Sequence, residues 1–170
     1  MIIVVMGVCG CGKSTVGTAL ARSLQWPFLD ADDFHPPENV VKMAHGTALT
    51  DADRWPWLDR VASELTRILE RGERAVLACS ALKQAYRDRI ARAGDVRFVH
   101  LDGDYETIAA RLATRQHRYM PATLLASQFA ALEPPLDALR IDIRDSVEEQ
   151  VAAILAAYGL VDASARVLPG

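Results

Sequence analysis

The sequence predicts an α/β fold, a five-stranded parallel sheet with helices on both faces, and three observations carry that prediction. Short apolar runs alternate along the chain with stretches of helical period, the pattern of strand–helix units joined by right-handed crossovers. The runs Ile2 to Met6 and Ala75 to Cys79 are apolar at every position, as expected of strands buried on both faces. The first run leads directly into Gly7-Val8-Cys9-Gly10-Cys11-Gly12-Lys13-Ser14-Thr15, which satisfies G-x-x-x-x-G-K-[ST], and a helical pattern follows from Lys13 to Leu24.

That loop has the composition of a phosphate cradle. Its glycines permit backbone angles that a Cβ would hinder, so successive N–H groups can turn inward around phosphate oxygens at the positive end of the following helix. Lys13 is expected to reach the β- and γ-phosphates of a nucleoside triphosphate, and the Ser14 hydroxyl to ligate Mg²⁺. Of nineteen basic residues only Lys13, Lys42 and Lys83 are lysine, so arginine is the default cation of this chain. A compact ammonium at position 13 suits phosphate as a flexible point charge.

Bulk properties bound the rest. A chain of 170 residues fits one domain, here residues 1–170, and needs no disulfide or metal staple. Net charge is −3 with mixed signs, which argues against nucleic acid as a partner. The apolar N-terminal run has no basic residue before it and enters the phosphate loop at once, so neither a signal peptide nor a membrane span is expected, and a cytoplasmic protein is. Three cysteines, Cys9, Cys11 and Cys79, are an odd set that reads as reduced thiols. Cys9 and Cys11 lie at a helix N-terminus, so low-pKa, oxidation-prone thiols are expected there in preference to a metal pair.

In chain order, Pro27-Phe28-Leu29-Asp30 reads as a short strand ending in the carboxylates Asp30, Asp32 and Asp33, followed by His35-Pro36-Pro37. Ligands of open parallel sheets bind beyond the strands' carboxyl ends, so these acids should meet the phosphate loop, with Mg²⁺ and a substrate hydroxyl as natural partners. Asp30 is the expected Mg²⁺ support. A short helix from Glu38 to Ala44 precedes a longer one capped by Thr50 or Asp51, whose stripe Trp55, Leu58, Val61, Leu65, Ile68 and Leu69 should face the core. Arg54 and Trp57 in its first turns should line a pocket. After the strand at Ala75 come the small residues Ser80-Ala81-Leu82-Lys83, a helix from Gln84 to Ala93, a strand from Val96 to Leu101, and a helix from Tyr105 to Arg115 that places Arg111 and Arg115 on one face. His117 to Pro121 breaks the pattern and Ala122 to Leu132 resumes it, which predicts a helical lid over about 111–135. Leu139 to Ile143 gives the fifth strand and Ser146 to Tyr158 the last helix, and the tail 160–170 lacks period and is expected to be loose.

Taken together these segments resemble the gluconate kinase family, a branch of the small P-loop kinases related to shikimate and nucleotide kinases. The resemblance spans about Ile2 to Ala157. It rests on the phosphate loop, on Asp30-Ala31-Asp32-Asp33-Phe34-His35-Pro36, on Asn39, Lys42-Met43 and Gly46, on Leu49-Thr50-Asp51 and on Asp53-Arg54-Trp55-Pro56-Trp57-Leu58. Further matches are Cys79-Ser80-Ala81-Leu82-Lys83, Tyr86-Arg87, Met120-Pro121, Leu124-Leu125, Ser127-Gln128-Phe129 and Leu132-Glu133-Pro134. It implies an ATP-dependent carbohydrate kinase, a cytoplasmic homodimer that passes the γ-phosphoryl group to the 6-hydroxyl of D-gluconate. Carried over to this chain, Lys13 and Ser14 hold phosphate and Mg²⁺, and Asp32 is the base or orienting group. His35, Arg54, Lys83 and Arg87 contact the sugar acid, with Arg54 or Lys83 facing its carboxylate. Arg111 and Arg115 neutralise the transferring group.

The chain departs from the family where Cys9 and Cys11 stand in place of serines and where Arg118 stands at the usual lid histidine. Two alternatives are a P-loop kinase for another small acceptor, such as shikimate or another sugar acid, and a non-catalytic nucleotide-binding switch. A Gly-rich segment at Ser80-Ala81 would mark the first. Hydrolysis unstimulated by any acceptor would mark the second.

Overall fold

A computed structural model describes residues 1–114 and 122–163. Its five strands are β1 (Ile2–Met6), β2 (Phe28–Asp30), β3 (Ala75–Ala78), β4 (Val96–Asp102) and β5 (Leu139–Asp142). They form one sheet in the order β2-β3-β1-β4-β5, with every pair parallel. The helices are α1 (Lys13–Leu24), α2 (Pro37–Ala44), α3 (Asp51–Glu70), α4 (Gln84–Ala91), α5 (Tyr105–Thr114), α6 (Ala122–Ala131) and α7 (Val147–Ala157).

The unbroken apolar pattern of β1 has its expected cause, because all five residues are fully buried between two layers. Ile3 and Val5 pack against Val16 and Leu20 of α1 and Ile154 of α7, while Ile2, Val4 and Met6 face Leu58, Val61 and Leu65 of α3 and Ile90 of α4. The chain leaves β1 toward β2 on one side and β3 toward β4 on the other. The ends of β1 and β3 therefore flank the point where strand order reverses, the place where a crevice opens in such sheets.

Local chemistry sets the helix starts that matter to this crevice. Thr50 and Asp53 form a capping box at the start of α3, with the Asp53 amide donating to the Thr50 hydroxyl at 3.2 Å and the Thr50 amide to Asp53 at 2.9 Å. Pro56 lies inside α3 without ending it. Gly103 turns the chain from β4 into α5 at a spot where a Cβ would collide with the Ile143 side chain. α5 and α6 pack as a hairpin, with Tyr105 edge-on to Phe129 at 5.6 Å.

Two local features refine this outline. The stretch after β2 is a 3-10 turn, Ala31–Phe34, which Asp30 caps by accepting from the Asp32 amide at 3.1 Å. The tail is fastened where it begins, since the Ala163 amide donates to the Ser23 carbonyl at 2.7 Å. Arg115, the expected hinge over 117–121 and residues 164–170 lie outside the described residues. No described helix is long and apolar enough to cross a membrane.

Candidate active site

The phosphate loop runs from Gly7 to Gly12 between β1 and α1. Gly10 and Gly12 adopt φ of 84° and 107°, in the region that favours glycine, and a Cβ on Gly10 would meet the Leu112 side chain at 2.8 Å. Lys13 folds back over the loop and donates to the Val8 carbonyl at 3.0 Å. Ser14, in the first turn of α1, donates its hydroxyl to Asp30 at 3.3 Å. Asp30 thus holds the acidic turn with one oxygen and meets the loop serine with the other.

Asp32 projects from this turn with its side chain 77% exposed, and behind it His35 is buried. The His35 ring stacks on Trp57 at 4.2 Å, and the Trp57 indole N–H donates to the Ala31 carbonyl at 2.6 Å. Asn39 of α2 donates through Nδ2 to the Asp53 carbonyl at 2.9 Å and faces His35 Nδ1 at 3.3 Å. An amide nitrogen only donates, so Nδ1 accepts and the imidazole proton sits on Nε2, which faces Asp32 Oδ1 at 3.8 Å. Burial holds His35 below the usual histidine range, with Asp32 opposing and Arg54 reinforcing. A neutral, immobile imidazole therefore backs the Asp32 carboxylate.

Beyond His35 lies a cluster built from the first turns of α3 and α4. Lys83 donates to both oxygens of Asp51, at 2.9 and 2.8 Å, and the Tyr86 hydroxyl donates to the same carboxylate. Arg54 donates to the Tyr86 hydroxyl at 3.3 Å and stands 3.8 Å from Asp51. The hydrogen bonds from Lys83 and Tyr86 pull the Asp51 carboxyl below its ordinary range, and burial raises that of Tyr86. Arg54 and Lys83 thus meet at one carboxylate.

Arg87 does not join them. It is 2% exposed, and its five N–H groups are all spent on the protein: the Ala81, Leu82 and Glu133 carbonyls at 2.9, 3.1 and 2.9 Å, and Gln84 Oε1 twice. It braces the turn after β3 against the exit of α6, where Glu133 in turn accepts from the Gln84 amide at 2.6 Å. Arg111 donates to the Ile143 carbonyl beside the loop-facing end of α5.

One of the two loop cysteines also departs from expectation. Cys11 is 1% exposed, its sulfur tucked under Gly7 where a Cβ would come within 2.8 Å of it, and burial pushes its thiol up, against the pull of Lys13. The helix N-terminus does not make it a reactive thiol because the side chain points into the core. Cys79 is likewise buried and pushed up to about 12. Cys9 is partly exposed, and its amide donates to Gln128 Oε1 of α6 at 2.6 Å, which ties α6 to the loop.

A family model for shikimate kinase matches residues 9–155. The Escherichia coli thermosensitive gluconokinase is 45% identical over 150 residues, covering 85% of this chain and 80% of that one. The gluconokinase of Gluconobacter oxydans is 50% identical over 137 residues, covering 79% and 76%. The chain belongs to the gluconokinase family. The crystal structure of a gluconokinase from Sinorhizobium meliloti superposes with a TM-score of 0.84 at 40% identity, over 92% of this chain and 90% of that one. This chain is thus an ATP-dependent kinase, with the phosphate loop and acidic turn joined by Ser14 and Asp30 and the basic cluster gathered on Asp51.

Asp51, Tyr86, Asn39 and Gln128 were not among the residues that sequence reasoning assigned to the site. Asp51 reads as a helix cap, and Tyr86 enters only as a family match within the helix from Gln84. Only the placement of Lys83 beside both reveals their part.

Proposed function

We propose that this chain transfers the γ-phosphoryl group of ATP to the terminal 6-hydroxyl of D-gluconate, releasing ADP and 6-phosphogluconate. The observation that carries the reading is the pairing, on one crevice, of an exposed carboxylate with a cluster of net positive charge. Asp32 lies beside the phosphate loop, and Arg54 and Lys83 lie beyond His35. A terminal hydroxyl and a carboxylate at opposite ends of one open-chain acceptor match those two features. The names of relatives at 45% and 50% identity support the same reading.

In the reaction the acceptor oxygen attacks the γ-phosphorus, the bond to the bridging oxygen of ADP breaks, and the hydroxyl proton passes to Asp32. The loop N–H groups and Lys13 hold the phosphates against the positive end of α1. His35, whose Nε2 stands 3.8 Å from Asp32 Oδ1, backs the Asp32 carboxylate and acts as a positioning residue in this reading. Arg54, with Lys83, receives the sugar carboxylate. Arg111 leaves Ile143 to join Arg115 in neutralising the transferring group. Ser14 and Asp30 offer a hydroxyl and a carboxylate, hard oxygen donors of the kind Mg²⁺ takes alongside phosphate and water, and the ion would supply charge neutralisation there. A cytoplasmic homodimer is part of the same reading.

The shikimate kinase match makes shikimate the control acceptor. ADP release by the full chain with gluconate, sorbitol and shikimate at equal concentration is the test. Gluconate should exceed both by roughly 10²-fold or more in kcat/KM, since a pocket cation left without its partner is costly. Equal turnover of sorbitol, or preference for shikimate, would refute the proposal.

A further inference from the structure

The acceptor cluster contains a carboxylate of its own, and its geometry is more specific than a helix cap requires. Asp51 is the first residue of α3, yet the capping bonds at that end are made by Thr50 and Asp53. The Asp51 side chain instead turns to α4, where both of its oxygens are taken by Lys83 and one also by Tyr86. Tyr86 accepts from Arg54 while donating to Asp51, so the three polar groups form one connected set with Asp51 at its centre.

The charges in this set do not cancel. Arg54 and Lys83 contribute two positive charges and Asp51 one negative charge, which leaves one positive charge for an acceptor. The neighbouring cations have carboxylates of their own: Lys42 is paired with Asp53 at 2.7 Å, Arg89 with Asp59 through Nη2 and Oδ2 at 2.7 Å, and Arg87 lies in the field of Glu133, Asp137 and Asp88. The Asp32 carboxylate lies past His35, at the end assigned to the acceptor hydroxyl. His35, on the side toward Asp32, is held neutral by burial. Lys83 is also chelated, with two of its three N–H bonds directed at Asp51.

We propose that Asp51 is a specificity-determining residue, a built-in counter-ion that trims the acceptor site to a single positive charge and so selects a monoanionic sugar acid over a dianionic sugar phosphate. This rests on the reading of Arg54 and Lys83 as the groups that meet the acceptor's charged end. A carboxylate brings one charge and is balanced. A phosphate monoester brings nearly two at pH 8 and meets the uncompensated repulsion of Asp51, which is exclusion by charge more than by shape. Without Asp51 the same pocket would carry two free cations, the requirement for a dianion.

The experiment compares two open-chain acceptors that present the same free 6-hydroxyl and differ at the other end: D-gluconate and glucitol 1-phosphate. kcat/KM is measured at pH 8 for the full-length parent, Asp51→Asn and Asp51→Glu. The parent should prefer gluconate. Asp51→Asn keeps the shape and removes the charge, and should shift the ratio toward glucitol 1-phosphate by about tenfold or more, the scale of one close charge pair at a partly exposed site. Asp51→Glu should keep the parental ratio. If Asp51→Asn lowers both acceptors equally, Asp51 is only a structural tie and the inference is overturned. If that variant does not fold, Lys83→Met carries the test, because it leaves the cluster neutral and should cut the preference for gluconate over uncharged sorbitol. An unchanged preference there overturns the inference as well. A parent that phosphorylates no sugar acid at all would instead overturn the proposed function.

Discussion

The two ends of the crevice are built differently. At the phosphate end, a contiguous strand, loop and helix supply nearly everything, with backbone N–H groups, Lys13 and Ser14 all drawn from residues 7–15. At the acceptor end, each working group is held by another element: His35 by Trp57 and Asn39, Lys83 by Asp51, and Arg54 by Tyr86. In the proposed function the first end recognises a group common to all nucleoside triphosphates and can be local. The second discriminates among small acceptors, and discrimination requires polar groups fixed in relation to one another by packing.

The comparison can be broken most sharply at its local end. Lys13→Ala should lower kcat by about 10³-fold or more, because a point charge on the transferring group is lost from a step that depends on electrostatic positioning. The fold should survive, since the Lys13 ammonium makes a single bond to Val8. Steady-state kinetics together with a thermal melt checks both halves, and full activity in this variant would remove the phosphate end from the account.

Arg87→Met tests the opposite end and should act on stability, not on choice of acceptor. It strands the Ala81, Leu82 and Glu133 carbonyls, each of which loses a charged donor, and roughly 2–4 kcal/mol of unfolding free energy should go with them. Denaturant titration measures that loss, and the gluconate-to-sorbitol preference should stay as in the parent. A selective loss of gluconate would return Arg87 to the acceptor.

The smallest effect belongs to Asp53, whose carboxyl is held down to about 2, first by its hydrogen bond from Lys42 and then by Thr50. A depressed carboxyl stabilises the fold above its unfolded pKa of about 3.9, and that contribution is lost as pH falls toward the folded value. Asp53→Asn should therefore flatten the pH dependence of stability between about pH 4 and pH 2, and between pH 6 and 8 should lower stability by a small amount that does not vary with pH. An unchanged acid limb would show that the exposed capping box carries no such linkage.

What was legible in the sequence follows the same division. The phosphate loop could be read because its motif, its strand and its helix are consecutive, and the strands and helices on both faces followed from period and apolar runs. The 3-10 turn at Ala31–Phe34 was missed because four residues have no period to read. Arg87 looked like a substrate contact because a sequence shows a charge but not the carbonyls it will meet. Cys11 looked reactive because a helix N-terminus lowers a thiol's pKa, and nothing local says that this side chain turns under Gly7 into the core. Asp51 and Lys83 stand thirty-two residues apart, and only the packing of α3 against α4 makes them a pair.

The central claim is that Asp32 reads the acceptor's hydroxyl while Arg54 reads its charge. The most direct measurement is the ratio of kcat/KM for gluconate to that for sorbitol in the parent, Asp32→Asn and Arg54→Ala. Asp32→Asn should depress both acceptors together by roughly 10²- to 10⁴-fold and leave the ratio unchanged, as loss of a general base predicts. Arg54→Ala should collapse the ratio by roughly 10- to 100-fold, mainly through a higher KM for gluconate, as loss of a hydrogen bond to a charged group predicts. A ratio that survives Arg54→Ala, or one that falls with Asp32→Asn, would contradict the account.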